Sequence, residues 1–278
     1  MDSQKIVDFG AVTGICLGHA AIGRPLMSVY CYYLDGLLID TSAKNNRCAL
    51  LEILPQFPVE RVALTHYHED HAGNAAYLHQ TFSWPVLAGT KTCAMLAQRH
   101  RLRPYEHFMW GDLESMRAQE MGKQLKTNRY SFDVIESPGH SADHIVLHEP
   151  EQGWLFSGDM FLGPKIKYFR RDECLYTTII SLNRLLQLEF ETLFCGHNPQ
   201  TKHAKAMLAR KRDHLFELYG QVAKRYHAGQ ALTQILAEMG QGREQVFVKW
   251  ITLGDVSFAN MLRSAFASLT RGDQLHGL

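Results

Sequence analysis

Short apolar runs rich in β-branched and aromatic residues alternate with stretches of helical periodicity along residues 1–199. The runs have the length and composition of strands, and the stretches between them repeat apolar residues as amphipathic helices do. Strands are predicted at 28–34, 36–40, 61–65, 84–89, 132–137, 144–149, 153–158 and 191–196. Helices are predicted at 43–54, 73–81, 90–99 and 177–188. Asp35 and Gly36, between the first two runs, predict a hairpin turn.

The pattern changes after residue 199, where apolar residues recur at helical spacing among charges. Helices are predicted at 201–226, 231–239 and 255–269. Asp255 is the predicted N-cap of the last of these helices. We therefore predict a β-rich catalytic domain at 1–199 and a helical C-terminal region at 200–278.

Charge, cysteine content and the lengths of the apolar runs argue against a nucleic-acid-binding protein, a disulfide-stabilised protein and a membrane-spanning protein. Lys and Arg number 29 against 28 Asp and Glu, and the formal net charge of +1 provides no global field for nucleic acid or an anionic membrane. The six cysteines include no C-x-x-C pair, which favours reduced thiols over a disulfide framework. The opening MDSQKIVDFG has no basic region followed by an apolar one, and no apolar run approaches the roughly 20 residues of a membrane span. The sequence predicts a cytoplasmic protein without nucleic-acid or membrane partners.

Four predicted strands each end at a residue type that binds metals. These strand-end residues are His66, His140, Asp159 and His197. Three more such residues, His68, Asp70 and His71, follow the first within the segment THYHEDHAGN. A cluster of imidazoles and carboxylates is costly unless a cation lies inside it. This donor set suits zinc, iron or manganese, and two such ions about 3.5–4 Å apart can hold a hydroxide that acts as a nucleophile near neutral pH.

The order of these motifs resembles that of the metallo-β-lactamase superfamily. The motifs are H-x-H-x-D-H at 66–71, S-P-G-H-S at 137–141, S-G-D at 157–159 and G-H at 196–197. The predicted C-terminal helices resemble those of the glyoxalase II-like hydrolases within that superfamily. The resemblance implies an α+β fold, the metallo-β-lactamase-type αβ/βα sandwich, in which two mixed β-sheets are flanked by helices and followed by C-terminal helices.

The resemblance also implies a role for each candidate ligand. One metal would be held by His66, His68 and His140, a second by Asp70, His71 and His197, and Asp159 would bridge the two. Asp70 and His144 are the predicted catalytic residues, and His144 would lie either behind the ligands or on the substrate side. The expected cofactors are two divalent metal ions, zinc in the first place, with iron or manganese as alternatives.

Three functions fit this ligand set. The first is a binuclear metal-dependent hydrolase that attacks a small ester or thioester through a metal-bridging hydroxide. The second is an oxidoreductase resembling the persulfide dioxygenases, which hold a single iron with two histidines and an aspartate. The complete second ligand set favours the hydrolase. The third is a regulatory or binding protein that retains the metal site, because intact ligands do not prove turnover.

Two other functions of the superfamily are disfavoured by the sequence. A secreted β-lactamase would carry a signal peptide, which the opening residues lack. The nucleases of the superfamily carry a large inserted domain or an RNA-binding arm, and the segments 72–139 and 160–196 leave no room for one. Antibiotic and RNA hydrolysis are therefore not expected.

Two segments outside the ligand motifs are candidates for substrate contacts. The segment 163–173 contains the predicted substrate-binding residues Lys165, Lys167, Tyr168, Arg170 and Arg171. In glyoxalase II-like enzymes a Lys- and Tyr-bearing loop here meets the carboxylates of a thiol carrier, so a small anionic substrate is expected, with a solvated turn as the alternative. The segment 98–122 carries Tyr105, Phe108, Met109 and Trp110 and predicts a lid, a partner surface or a piece packed on the domain. The oligomeric state stays open, a homodimer included.

Overall fold

The computed structural model of the chain describes residues 3–20, 25, 27–242, 246–273 and 275. The strands are β1 (Ser3–Asp8), β2 (Thr13–Gly18), β3 (Val29–Leu34), β4 (Leu37–Ile39), β5 (Arg61–Leu64), β6 (Val86–Ala88), β7 (Gln119–Glu120), β8 (Gln124–Lys126), β9 (Ser131–Glu136), β10 (Ile145–Glu149), β11 (Trp154–Gly158), β12 (Phe169–Arg170), β13 (Thr192–Cys195) and β14 (Val256–Ser257). The helices are α1 (Arg47–Ile53), α2 (Glu69–Ala72), α3 (Ala75–Phe82), α4 (Thr90–Leu96), α5 (Pro104–Trp110), α6 (Leu175–Leu185), α7 (Ala204–His227), α8 (Leu232–Gly240), α9 (Val246–Ile251) and α10 (Phe258–Thr270). Every strand and helix predicted from the sequence has an observed counterpart with shifted ends.

Two mixed sheets form the centre of the molecule. The first has the order β1-β2-β3-β4-β5-β6-β7, antiparallel from β1 to β4 and parallel from β4 to β7. The second has the order β13-β11-β10-β9-β8 and is antiparallel except for the β11–β13 pair. The predicted hairpin between β3 and β4 is confirmed, with Asp35 and Gly36 at φ of 44° and 79°.

Alternating residues of each strand belong to different hydrophobic clusters. In β4, Leu37 and Ile39 face the second sheet, whereas Leu38 packs with the cluster that contains Leu50 of α1 and Leu78 of α3. Successive side chains of a strand point to opposite faces, so a sheet whose two faces are both buried must be covered on both sides. The layers therefore run helix, sheet, sheet, helix, as the predicted sandwich requires.

The C-terminal helices pack on the outer face of the second sheet. Leu193 of β13, Ile179 of α6, Leu208 of α7 and Leu262 of α10 belong to one buried cluster. The short sheet of β12 and β14 adds a second link between the loop after β11 and the C-terminal region. This shared core joins the two predicted parts of the chain, and their division at residue 199 stays a prediction.

Sequence patterns missed several elements, β1 and β2 among them, and misplaced one cap. The strand β1 lies at a sheet edge and is largely exposed, so it carries no alternation of buried and exposed residues. The prediction of Asp255 as N-cap is wrong, because the Ser257 side chain accepts the hydrogen bond from the Asn260 N–H and begins α10. Asp255 instead accepts a hydrogen bond from the Tyr105 hydroxyl on α5. Over the described ranges, none of the helices combines the length and the apolar character that crossing a membrane would need.

Candidate metal centre

Three histidines converge at one end of the sandwich. His66 follows β5 directly, His68 lies two residues later, and His140 lies in the loop between β9 and β10. His68 Nδ1 is 3.1 Å from His66 Nε2 and 3.0 Å from His140 Nε2, and all three side chains are buried. Three ring nitrogens that face one another across about 3 Å are an arrangement that a cation between them stabilises, since zinc–imidazole bonds are about 2.0–2.1 Å long.

Four more predicted ligands form a second group beside the first. Its members are Asp70 and His71 of α2, Asp159 after β11 and His197 after β13. His197 Nε2 lies 3.3 Å from Asp70 Oδ2 and 3.4 Å from Asp159 Oδ2. His71 Nε2 lies 3.2 Å from Asp159 Oδ1. This group combines two carboxylates with two imidazoles, which matches the preference of zinc, iron and manganese for nitrogen and oxygen ligands.

Asp159 faces both groups. Besides its two partners in the second group, its Oδ2 lies 3.5 Å from His140 Nε2 in the first. The structure thus brings all seven predicted ligands together and puts the carboxylate of Asp159 between the two sets. Its role as a bridging ligand stays a prediction that this placement supports.

A set of outer contacts holds the imidazoles in place. Asp40 Oδ2 accepts from the ring N–H at His71 Nδ1 at 2.7 Å, and the Ser28 carbonyl accepts from His197 Nδ1 at 2.7 Å. Glu173 Oε2 lies 3.3 Å from His140 Nδ1. Because each of these acceptors faces Nδ1, the Nε2 atom of each ring points into the site, and such contacts are what orient metal-binding histidines.

Asp40 and Glu173 contact candidate ligands and were missed by sequence reasoning. Asp40 ends the apolar run GLLID, as the recognised ligands end theirs, and that position was the available signal. Its carboxylate also accepts from Thr65 N–H and Thr65 Oγ1, both at 2.8 Å, so it fastens the loop that carries His66. Glu173 had no such signal, because it lies in a segment read as basic.

His144 lies behind the candidate ligands, and the structure does not support its placement on the substrate side. Its Nε2 accepts a hydrogen bond of 3.1 Å from the Asp159 backbone N–H, so its Nδ1 carries the proton and donates to Ser137 Oγ at 2.8 Å. The side chain is buried and has no free ring nitrogen for a substrate. Of the two predicted catalytic residues, only Asp70 lines the pocket that leads to the candidate ligands, which is described below.

Burial and charge make both groups suited to cations. Burial and the neighbouring imidazoles hold the pKa of His66 well below its ordinary value, so its ring is neutral and offers a lone pair. Burial alone would raise the pKa of Asp159, but His197 and His71 hold it well below its ordinary value. Burial likewise opposes the charged form of His197, and Asp159 and Asp70 outweigh it and raise its pKa to about 10. The second group thus contains ionised carboxylates in a buried place.

Unsatisfied polar atoms show that the donor set fits a metal. His71 Nε2 and Asp159 Oδ1 are buried without a hydrogen-bond partner among the described residues, although they face each other at 3.2 Å. Orphaned buried polar atoms cost about 1–3 kcal/mol each, and a bound cation removes that cost. Gly196 also leaves this space open, since a Cβ there would lie 2.6 Å from Asp159 Oδ1 and from His71 Cε1. The residues present therefore fit divalent metal ions.

An open pocket of about 360 Å³ leads to the two groups. Its floor is the candidate metal centre, and its walls come from α5, the loop after β11 and α9 with the residues that follow it. In the segment 98–122, Tyr105, Met109 and Trp110 line this pocket, whereas Phe108 is 71% exposed. The segment is therefore part of the pocket wall, and the hydrogen bond from Tyr105 to Asp255 joins it to the C-terminal region.

The segment 163–173, called the basic loop below, places its predicted substrate-binding residues in different surroundings. Tyr168 and Arg170 line the pocket. Lys165 and Lys167 instead line a groove with His214 and Glu217 of α7, and the prediction of these lysines at the substrate pocket is not supported. Arg171 is exposed and is not among the pocket-lining residues. Spacing alone could not separate these side chains, because the loop turns between them.

Arg170 is occupied by carboxylates of neighbouring elements. Its guanidinium lies 2.8 Å from Glu106 of α5, 3.7 Å from Glu69 of α2 and 3.6 Å from Asp172. Its backbone N–H donates to Glu173 Oε1 at 2.8 Å and so orients the carboxylate that contacts His140. Burial lowers the pKa of Arg170, but these carboxylates raise it by more, so the net shift is upward. The guanidinium is therefore always charged, and the carboxylates beside it neutralise that charge.

Comparison with known proteins agrees with this architecture. The sequence profile of the Metallo-beta-lactamase superfamily matches residues 24–197, which include all seven candidate ligands. The chain belongs to the metallo-beta-lactamase superfamily. A beta-lactamase domain protein from Burkholderia ambifaria has a fold similar to this superfamily member, with a TM-score of 0.68 over 96% of this chain and 88% of that one. At 18% sequence identity that likeness shows the fold alone.

Two curated relatives are similar to this superfamily member in sequence. A hydroxyacylglutathione hydrolase from Aeromonas salmonicida is 29% identical over 215 residues, 76% of this chain and 74% of that protein. A beta-lactamase-like protein 2 homologue from Caenorhabditis elegans is 28% identical over 205 residues, which is 70% of this chain. This chain spans only 63% of the length of that homologue.

Proposed function

We propose that this chain is a metal-dependent hydrolase that cleaves a small ester or thioester at a two-metal site. Membership of the superfamily and the likeness to hydroxyacylglutathione hydrolases indicate a metal-dependent hydrolase. The observation that carries the two-metal part is the pair of ligand groups that share Asp159. A mononuclear iron site would need only one of these groups.

Each ion has a proposed set of protein ligands. His66, His68 and His140 would hold one, Asp70, His71 and His197 the other, and Asp159 would contact both. Zinc is the proposed ion, with iron and manganese as alternatives that use the same donors. Two bound ions would supply Lewis-acid activation of a water molecule and of the substrate carbonyl.

The protein itself would position the substrate and move the proton. Asp70 lines the pocket while its Oδ2 contacts His197, so it is placed to take a proton from the attacking water and return it to the leaving oxygen or sulfur. Water adds to the carbonyl carbon, the bond to the alcohol or thiol breaks, and the products are a carboxylic acid and that alcohol or thiol. Asp40 and Glu173 keep the imidazoles aligned throughout.

Metal removal and reconstitution test this function. We expect a chelator-treated protein, verified as metal-free, to lose hydrolysis of aryl esters and thioesters by more than about a thousandfold, and zinc to restore it. Restored activity should reach its maximum at two metal equivalents per chain. Full activity without metal would contradict the mechanism, and one iron per chain with oxygen consumption would indicate the dioxygenase alternative.

A further inference from the structure

We propose that the substrate of this site carries an uncharged apolar acyl group, seated against the wall above the metal centre. This inference rests on the proposed hydrolase function and specifies its substrate class. The apolar group would lie on the acyl side of the scissile bond, whereas the predicted anionic carrier would lie on the leaving side.

The wall facing the metal centre is apolar and comes from distant parts of the chain. The side chains that form it are Met109 and Trp110 of α5, Leu162 after β11, Val248 and Ile251 of α9, and Val256 of β14. Pockets of about 300–1,000 Å³ with apolar walls and a few polar groups at one end are typical of small-molecule sites. Here the polar end is the metal centre, so an apolar chain attached to the reacting carbonyl would lie along this wall.

The charges of the pocket disfavour an anionic ligand. Among its described lining residues, Arg170 is the one Lys or Arg side chain, and the carboxylates of Glu106 and Glu69 already neutralise it. Glu173 adds a further carboxylate to the lining. A carboxylate at the far end of the acyl chain, away from the proposed metal ions, would find no unpaired cation among these residues and would have to leave water, which is costly.

Exposed apolar side chains at the rim continue the wall outward. Phe247 lines the pocket and is still 66% exposed, and Met27 and Tyr168 line it at 37% and 36% exposed. Apolar surface beside a binding cavity gains free energy when a ligand covers it. The surface is continuous with the candidate metal centre, which identifies the occupant as the apolar part of the substrate.

A chain-length series measures this preference. The substrates are p-nitrophenyl acetate, butyrate and octanoate, whose leaving group is constant, together with p-nitrophenyl hydrogen suberate, which places a carboxylate at the end of an eight-carbon chain. We expect kcat/KM of the zinc-loaded enzyme to rise at least tenfold from acetate to octanoate, since each buried methylene contributes up to about fourfold. We expect the suberate to react at least tenfold more slowly than the octanoate.

Two variants of one helix give a matched control. Phe247 and Trp250 both lie on α9 and are 66% and 74% exposed, but only Phe247 lines the pocket. Phe247→Ala should reduce the octanoate-to-acetate ratio at least threefold, and Trp250→Ala should change it less than twofold. A flat chain-length profile, faster reaction of the suberate, or equal effects of the two variants would overturn the inference.

Failure of the hydrolase function has a different signature. If no ester or thioester of any length is hydrolysed, the proposed function fails, and binding of octanamide and acetamide then tests the apolar site without turnover. Tighter binding of octanamide that weakens in Phe247→Ala and not in Trp250→Ala would support the apolar site by itself. Equal binding of the two amides would overturn it.

Discussion

The candidate metal centre and the apolar wall lie in one pocket and are built differently. Around the metal centre, His66, His71, His140 and His197 each have an outer contact that holds the ring, and their side chains are largely or fully buried. On the wall, Phe247 is mostly exposed, and its side chain has no polar atom that could form a directional bond. Directional bonds in a buried place hold atoms to within a fraction of an ångström, whereas apolar contacts tolerate a change of shape.

Because of this difference, we expect the residues of the candidate metal centre to determine whether the reaction occurs, and the residues of the wall to determine which substrate is preferred. A metal site needs a fixed number of donors at fixed distances, so its residues depend on one another. An apolar wall needs surface of suitable extent, so single replacements change preference and leave the reaction possible. We therefore expect changes at the centre to remove metal and activity together, and changes on the wall to alter which substrate reacts fastest.

The largest effect is expected from Asp159→Ala. Asp159 is the residue that faces both ligand groups, so its loss should lower the metal content from two equivalents to less than one and hydrolysis by more than about a thousandfold. Inductively coupled plasma mass spectrometry measures the metal content. Asp213→Ala, at an exposed aspartate of α7 paired with Arg212, is the control and should keep both equivalents. Two equivalents retained in Asp159→Ala would refute the bridging role.

An intermediate effect is expected from Asp40→Asn. The amide keeps the size of the carboxylate and tolerates the left-handed φ of 60° at this position, but its NH₂ must face a donor, Thr65 N–H or His71 Nδ1–H. Loss of this outer contact should weaken metal binding about 10–100-fold. Competition with a chromophoric chelator measures the affinity.

Asp35→Asn provides the matched control for that measurement. Asp35 also has a left-handed φ, 44°, but it lies in the turn between β3 and β4, where its carboxylate accepts from the Arg129 N–H and from no candidate ligand. Its replacement should leave metal affinity within twofold of the parent protein. If both variants bind metal as the parent does, Asp40 has no part in holding His71.

The smallest effect is expected from the double variant Lys165→Gln and Lys167→Gln. These lysines line the groove with His214 and Glu217, away from the pocket wall. KM for neutral and for carboxylate-bearing esters should change less than twofold, since neither side chain touches the pocket. A rise in KM confined to the anionic ester would return the lysines to substrate recognition and contradict the division of the loop.

Much of the metal centre could be predicted from the sequence because its residues follow a local rule. Four apolar runs each end at a candidate ligand, and the ends of neighbouring strands meet at one edge of a sandwich. Asp40 obeys the same rule after β4 and was missed, because it contacts His71 and contributes to neither ligand group. His144 does not follow a predicted strand in this way. Only its contact with the Asp159 N–H showed that it lies behind the candidate ligands and not on the substrate side.

The sequence by itself determined the main strands, the main helices and the set of candidate ligands, since strand periodicity and strand ends are properties of neighbouring residues. The sandwich was implied by the resemblance of the motif order to that of the superfamily. Only the tertiary structure decided what surrounds them. The wall joins Trp110 of α5 to Ile251 of α9, and the basic loop sends Arg170 inward and Lys165 to another groove. Such placements depend on how distant elements pack. The cost of burying the Arg170 guanidinium, for example, depends on its carboxylate partners, which come from α2 and α5.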